Sequence, residues 1–365
     1  MRKKSMDYAL LIATVILVAF GILMVFSASY YYAETKFSDG LYFFKKQILG
    51  AVVGFVAMIV LSFFDYKKLK KFRYIGLIIA IGLLAVVLVK GVGVNLNGSS
   101  RWLSIAGFSV QPSEIAKFAL ILFFAANMAD KKDKMQTFKY GIFPYLLVLG
   151  IVCGLLYLQP NFSAIVCIAL MGFVMMWVGG AKRLHLSLIA GAGAVGGTAL
   201  MMAKSYRMDR IFAFLNPWQY ASDEGYQLIQ SLYAIGASGL FGCGIGNSRQ
   251  KFLYLPYGES DFIFSIITEE IGFIGAIALI LVFVFLIWRG IKIALKAPDL
   301  FGTLLATGIV SIIGIQVLVH IAVVTGSIPP TGVTLPFISA GNSSLMIFMA
   351  SIGILLNISR QCEKG

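Results

Sequence analysis

The chain is poor in residues that bind metals or form crosslinks. Its four cysteines are scattered, with Cys153 and Cys167 inside apolar runs, Cys243 in a loop and Cys362 near the C-terminal end. No two of them have metal-ligand or disulfide-framework spacing, which excludes a zinc module and a disulfide scaffold. They read as small apolar filler or incidental thiols. Only two histidines occur, His185 and His320. Acidic residues are also few, 16 against 30 lysines and arginines, giving a net charge of +14. That balance on a soluble face interleaved with aromatics would suggest nucleic acid, but such patches are absent. The sequence also lacks a repeat of fixed period and any low-complexity tract.

What it has in excess is apolar residues, 59% of 365. Soluble domains hold roughly 45–50%, so the composition specifies an all-α polytopic integral membrane protein. Ten apolar runs stand at 8–28, 46–64, 74–90, 112–128, 140–158, 162–179, 186–203, 262–288, 301–325 and 342–358. Each is close to the ~20 residues a helix needs to cross the hydrocarbon core. Arg2-Lys3-Lys4 before the first run imitates a signal peptide, but the run continues past Ala28 and reads as an uncleaved first span. Nineteen of the 30 basic residues fall on the side of the N-terminus and ten on the other, with Lys117 inside a span. The bias places both termini in the cytoplasm. The chain then reads as one membrane domain, 1–365, with ten transmembrane helices and a large extracytoplasmic loop, 204–261, between the seventh and eighth.

The outward loops carry the unusual residues. Loop 204–261 is too long for a connector and suits function. Within it, Gly225 to Gly239 reads as a short amphipathic helix at the interface. The run GASGLFGCGIG (236–246) resembles a phosphate loop only superficially and reads as tight turns with close backbone packing. The last outward loop, SIPPTGVTLPFISAGNSS (327–344), reads as a rigid turn dipping back toward the membrane.

The stretch LYLPYGESDFIFSIITEEIG (253–272) organises the rest. Asp261 stands where loop meets span and has two readings. It is either the N-cap of a continuous helix or a general base or cation ligand at the outer leaflet. Glu269 lies about 12 Å deeper, some 80° around, where it can line the same cavity, while Glu270 points away. Helix–helix hydrogen bonding is the plain alternative for both glutamates. Glu114 and Lys117 share a face at the start of the fourth run, as a buried ion pair or as the lining of a polar cavity. Arg101, Lys204, Arg207, Arg210, Arg249 and Lys251 lie in outward loops against the charge trend. They suit either lipid-phosphate anchoring or binding of an anionic headgroup.

Four ordered segments, RWLSIAGFSVQPSEIAKFAL (101–120), YQLIQSLYAIGASGLFGCGIGNSRQKFLYLP (226–256), SDFIFSIITEEIGFIG (260–275) and IPPTGVTLPFISAGNSS (328–344), resemble the SEDS family of FtsW, RodA and SpoVE. The resemblance covers nearly the whole chain. It implies a ten-span peptidoglycan glycosyltransferase that polymerises lipid II on the outer face of the bacterial cytoplasmic membrane. It also places Asp261 at the family's catalytic aspartate, and Glu114 and Lys117 at its central-cavity pair. Two departures lie near that site: Pro256-Tyr257 where the family commonly has Pro-Glu, and Ala340-Gly341-Asn342-Ser343-Ser344 where it often has Tyr-Gly-Gly-Ser-Ser. The ending just after the tenth run is similar to the SpoVE and short FtsW branch.

The family reaction inverts the donor linkage, so one base suffices and no second carboxylate nucleophile is needed. Arg101, Lys117, Arg210 and Lys251 are the cations available to the departing pyrophosphate, with a divalent ion, magnesium or manganese, as a candidate cofactor. The resemblance implies a class B penicillin-binding protein as partner. Two rival readings remain at this stage, a lipid II flippase and a scaffold for the transpeptidase. Transporters show inverted repeats about a midplane site, and no such repeat is present.

Overall fold

The computed structural model describes residues 5–89, 93–96, 99–105, 108–202, 205–223 and 225–362. Twelve α-helices follow in order among these residues. They are α1 (Tyr8–Phe37), α2 (Tyr42–Phe63), α3 (Arg73–Val86), α4 (Pro112–Asp130), α5 (Phe143–Leu158) and α6 (Phe162–Val178). Then come α7 (Arg183–Met202), α8 (Ser205–Leu215), α9 (Tyr226–Ala237), α10 (Ile263–Leu295), α11 (Leu300–Val324) and α12 (Asn342–Gln361). Each of the ten expected runs is helical. By length and apolar composition, seven of these helices can cross a membrane: α1, α2, α4, α5 with its preceding π-turn, α10, α11 and α12. Helix α6 is apolar but shorter, and α3 stops at Val86 rather than at 90. The expected amphipathic helix is α9.

The all-α expectation needs one addition. Between α3 and α4 lie three antiparallel strands, β1 (Gly93–Leu96), β2 (Ser99–Ile105) and β3 (Phe108–Val110), in the order β1-β2-β3. The register pairs Gly93 with Leu103 and Leu103 with Val110.

Two ends of the bundle differ. At one end Asp7 pairs with Arg289 at 2.6 Å, and its N–H donates to Ser359 Oγ at 3.1 Å. The start of α1 and the end of α12 therefore meet there. Asp130 takes Lys70 at 2.5 Å and also pairs with Arg73, so basic connectors knit this end. The other end carries the β-strands, α8, α9 and the last long loop.

That loop re-enters the bundle. Leu335, Phe337 and Ile338 are buried, and the Phe337 ring lies 5.7 Å from that of Phe348. Gly21, near the middle of α1, makes room: a Cβ there would stand 2.5 Å from the Phe337 carbonyl oxygen. Irregular backbone at membrane depth needs protein partners for its polar groups. Gln47 of α2 supplies two, donating to the Ser339 carbonyl and accepting from the Gly341 N–H, both at 3.3 Å.

The span expected to run unbroken from 262 is in fact broken. Gly272 sits inside α10 at φ 73°, ψ −178°. The interrupted helix loses its local partners, and the glycine-rich segment 239–244 replaces them. Cys243 and Gly244 N–H groups donate to the Glu269 and Glu270 carbonyls at 3.0 Å. Phe273 and Ile274 N–H groups donate to the Gly239 and Leu240 carbonyls at 3.0 and 3.1 Å. The close backbone packing expected of GASGLFGCGIG is present, and its partner is α10. A side chain at 272 would need a left-handed conformation and would put Cβ 2.3 Å from the Gly242 nitrogen. Gly272→Ala is therefore expected to lower the unfolding temperature of the detergent-solubilised protein far more than Gly76→Ala, whose Cβ meets nothing within 4 Å. Equal shifts would contradict the role given to this break.

Candidate active site

Asp261 is not a helix cap. The first turn of α10 is capped at Phe262, with no side-chain bond to the helix. Asp261 instead closes a tight turn in which the N–H groups of Ser260, Asp261 and Phe262 converge on the Tyr257 carbonyl at 3.1–3.3 Å. The turn hangs on the re-entrant loop. Ala340 N–H donates to the Glu259 carbonyl at 2.9 Å, and Ser339 Oγ donates to the Ser260 carbonyl at 2.7 Å.

The Asp261 carboxylate lies against Gly332, an exposed residue at φ +72°, where a Cβ would come within 3.1 Å of Oδ2. Only glycine leaves that space and tolerates that backbone. The turn bearing Gly332 is clamped from both sides. Ser163, in the first turn of α6, donates to the Thr331 carbonyl. His320, near the end of α11, has its Nδ1 2.7 Å from the Val333 carbonyl oxygen. A carbonyl only accepts, so Nδ1 carries the proton. His320 is fully buried.

Burial holds the Asp261 carboxyl above the ordinary aspartate range, against the opposing pull of Ser260, Arg101 and Arg210. Those two arginines are therefore the cations that act on Asp261. Arg101, on β2, is tied to the turn between α5 and α6 by bonds to the Gln159 and Pro160 carbonyls. Arg210 is exposed on α8. Lys204 and the side chain of Arg207 lie outside the described residues.

Glu114 and Lys117 form the expected pair. Both are buried, with Nζ 2.6 Å from Oε1, and Ser344 Oγ stands 3.4 Å from the second carboxylate oxygen. Ser344 belongs to the first turn of α12, the element that the re-entrant loop leads into. Gln111 N–H reaches Ser343 Oγ at 3.3 Å, joining the start of α4 to the same place.

Glu269 and Lys251 are engaged by other partners. Because Asp261 precedes the helix, the 80° helical relation to Glu269 does not hold. Glu269 accepts from Ser248 Oγ and from the Arg249 N–H at 3.0 Å, so it anchors the loop. Glu270 points away from Asp261, and it makes the helix–helix bond that was the plain alternative. It accepts from Ser27 Oγ at 2.7 Å and pairs with Lys251 at 3.4 Å. The two glutamates thus hold the loop, as intramembrane charges paired with polar neighbours do. Residues the sequence reading passed over are Glu259, Gln47, Ser163, His320 and Gly332. Glu259 was visible as a fourth acid in the organising stretch. The others became relevant only once the last loop was seen to lie on Asp261.

Among the described residues, no group of three or more His, Cys, Asp or Glu could hold a metal ion. Asp261 brings one carboxylate, too few for an all-protein cation cage, whereas magnesium is usually held by one or two carboxylates together with substrate phosphates and water.

The family model for FtsW, RodA and SpoVE, described as cell cycle protein, matches residues 8–364, and the chain belongs to this family. It is 43% identical to Stage V sporulation protein E of Bacillus subtilis (strain 168), covering 98% of each. It is 42% identical to a probable peptidoglycan glycosyltransferase FtsW of Geobacter sp. (strain M18), again over 98% of both chains. Its fold is similar to the rod shape determining protein RodA of Thermus thermophilus, with TM-score 0.72, 27% identity and 99% and 98% of the chains covered. A chain from a peptidoglycan synthase complex aligns at TM-score 0.80 with 28% identity, covering 97% and 98%.

A buried pair broken on one side leaves a charge without a counter-ion, at a cost of about 3–5 kcal/mol. Lys117→Met is therefore expected to lower the unfolding temperature strongly, and adding Glu114→Gln should recover most of the loss. A double variant no more stable than Lys117→Met would show that the two side chains do not act as a pair.

Proposed function

We propose that the chain is a peptidoglycan glycosyltransferase that polymerises lipid II on the outer face of the cytoplasmic membrane. The observation that carries this reading is a half-buried Asp261 held on Gly332 by the last long loop, with Arg101 and Arg210 acting on it. Family membership and relatives bearing the glycosyltransferase name support it. In this reading all ten helical runs cross the membrane. The basic connectors face the cytoplasm with both termini, and the end carrying Asp261 faces outward.

The chemistry follows from the groups present. An acceptor sugar hydroxyl is a weak nucleophile until its proton begins to leave. Asp261 takes that proton as the oxygen attacks the donor's anomeric carbon. Burial raises its affinity for the proton, so it is a stronger base than a solvated aspartate. The displacement inverts the anomeric centre, and the pyrophosphate leaves with the polyprenyl lipid. Arg101 and Arg210 stand where that growing negative charge needs cations, and arginine matches phosphate with paired N–H donors. Lys117 belongs to the buried pair with Glu114, and Lys251 is engaged by Glu270, so neither is assigned to the leaving group. The lipid tail stays in the bilayer while the headgroup reaches the site from the side. A class B penicillin-binding protein is the proposed partner, supported by the likeness to a peptidoglycan synthase complex.

Asp261→Asn keeps shape but cannot accept the proton. With the cognate transpeptidase present, the parent is expected to convert labelled lipid II to polymer and the variant to give none. A variant polymerising at the parental rate would remove Asp261 from the base role. Translocation of lipid II across vesicles by a parent that makes no polymer would favour transport instead. The pH profile carries a sign. The ionised form is the active one and its pKa is raised, so the rate falls on acidification. The fall should centre above the roughly 3.9 of an ordinary aspartate, and a flat profile down to that pH would contradict the assignment.

A further inference from the structure

A pocket opens beside the Asp261 turn, and the base chemistry proposed for Asp261 does not use it. It encloses about 230 Å³ between the last turns of α1, the first turns of α10 and the loop 251–259. Ala28, Leu253, Leu255, Pro256 and Ile266 give it apolar walls. Tyr32, Tyr257, Lys251 and Glu259 give it rings and polar groups.

Glu259 is the unusual member. Its residue is only 8% exposed, and among the described residues no other residue's hydrogen bond or ion pair reaches its carboxylate. Burial, with Asp261 nearby, pushes this carboxyl up to about 7 against the opposing pull of its own backbone N–H and Lys36. A buried carboxyl bonded only to its own backbone N–H keeps acceptor capacity, so it suits a ligand that donates to it. Leu253 and Tyr257, both about half exposed at the mouth, hold positive φ values of 68° and 56°. Such strained backbone persists where a binding surface needs it.

The pocket's chemistry selects a ligand class. Lys251 and the neighbouring Lys36 disfavour a cation, and Glu259 disfavours an anion. Tyr32 accepts from Lys36 Nζ at 2.7 Å, which leaves its own O–H to donate. Aromatic walls, one carboxylate acceptor and a tyrosine hydroxyl donor suit a neutral, polyhydroxylated ring. The volume lies below the roughly 300 Å³ at which pockets for drug-sized ligands begin, so it holds one ring. We infer that this pocket is a saccharide subsite, taking one aminosugar ring with Glu259 as hydrogen-bond acceptor and Tyr257 as a wall. Glu259 and Asp261 are two residues apart, at most about 7 Å along the chain. The subsite therefore adjoins the reacting centre. This inference rests on the glycosyltransferase reading and adds a binding site to it.

The test uses the full chain in nanodiscs at pH 8, where Glu259 is largely ionised. The probe is tetra-N-acetylchitotetraose, a neutral β-1,4-linked aminosugar chain with no lipid or pyrophosphate, followed by saturation-transfer NMR. The parent is expected to bind, and Glu259→Gln and Tyr257→Ala to bind at least about tenfold more weakly, the scale of one lost charged hydrogen bond. Tyr257 is exposed, so its variant guards against misfolding of the buried one. No binding by the parent, or equal binding by all three, would overturn the subsite. Two saccharides could fill it, and polymerisation separates them. Shorter products from Glu259→Gln at unchanged KM for lipid II point to the growing strand. A raised KM at unchanged length points to the donor's sugar. No change in either would overturn the inference. Sugar binding by a parent that makes no polymer would instead sink the glycosyltransferase reading and leave the subsite standing.

Discussion

Backbone polar groups buried in lipid must find protein partners, and this constraint shapes the structure more than any side chain. Helix α10 breaks at Gly272, which frees carbonyls on one side and N–H groups on the other. Segment 239–244 takes up both sets. That forces the chain between α9 and α10 to fold down onto the helix rather than drift above it. Glu269 and Glu270 fasten it further, one through the backbone at Arg249, the other through Lys251, while Ser27 ties Glu270 to α1. Charges that looked expensive in the middle of an apolar run are used as anchors.

The same constraint works on the last long loop. Its buried 335–341 portion is satisfied by Gln47, by the Ser339 side chain bonding to the Leu335 N–H at 2.8 Å, and by the Asp261 turn itself. Two irregular segments therefore brace each other, and Asp261 stands at their junction. The carboxylate is placed by backbone contacts and a missing Cβ, with few side-chain bonds. That placement suits the base role proposed for it, since few bonds compete for the carboxylate.

Much of this was legible in the sequence. The apolar runs located every long helix because helices in lipid carry their signal in composition and length. The i, i+3 spacing of Glu114 and Lys117 gave their pair. The ordered motifs gave the family. Three features were not legible. Gly272 lies in an apolar run and one glycine does not announce a break, since the cause lies 30 residues upstream in Gly242. Asp261 at a loop–helix junction has the appearance of a cap, and only the backbone of 257–262 shows that it faces another loop. The 91–111 segment carries polar and glycine residues without clean alternation, so its strands follow from pairing with one another rather than from local pattern.

The central claim is that the last long loop holds the Asp261 carboxylate in working position. Gly332→Ala tests it most directly, because the added methyl group meets only that carboxylate and lies on an exposed turn. Misplacing a reacting group by about 1 Å can cost on the order of a hundredfold in rate. The measurement is the steady-state rate of glycan formation from labelled lipid II by the variant and the parent, each with its partner. The account requires kcat to fall at least about tenfold, with KM for lipid II little changed. A variant with the parental kcat would show that the Gly332 turn does not position the base.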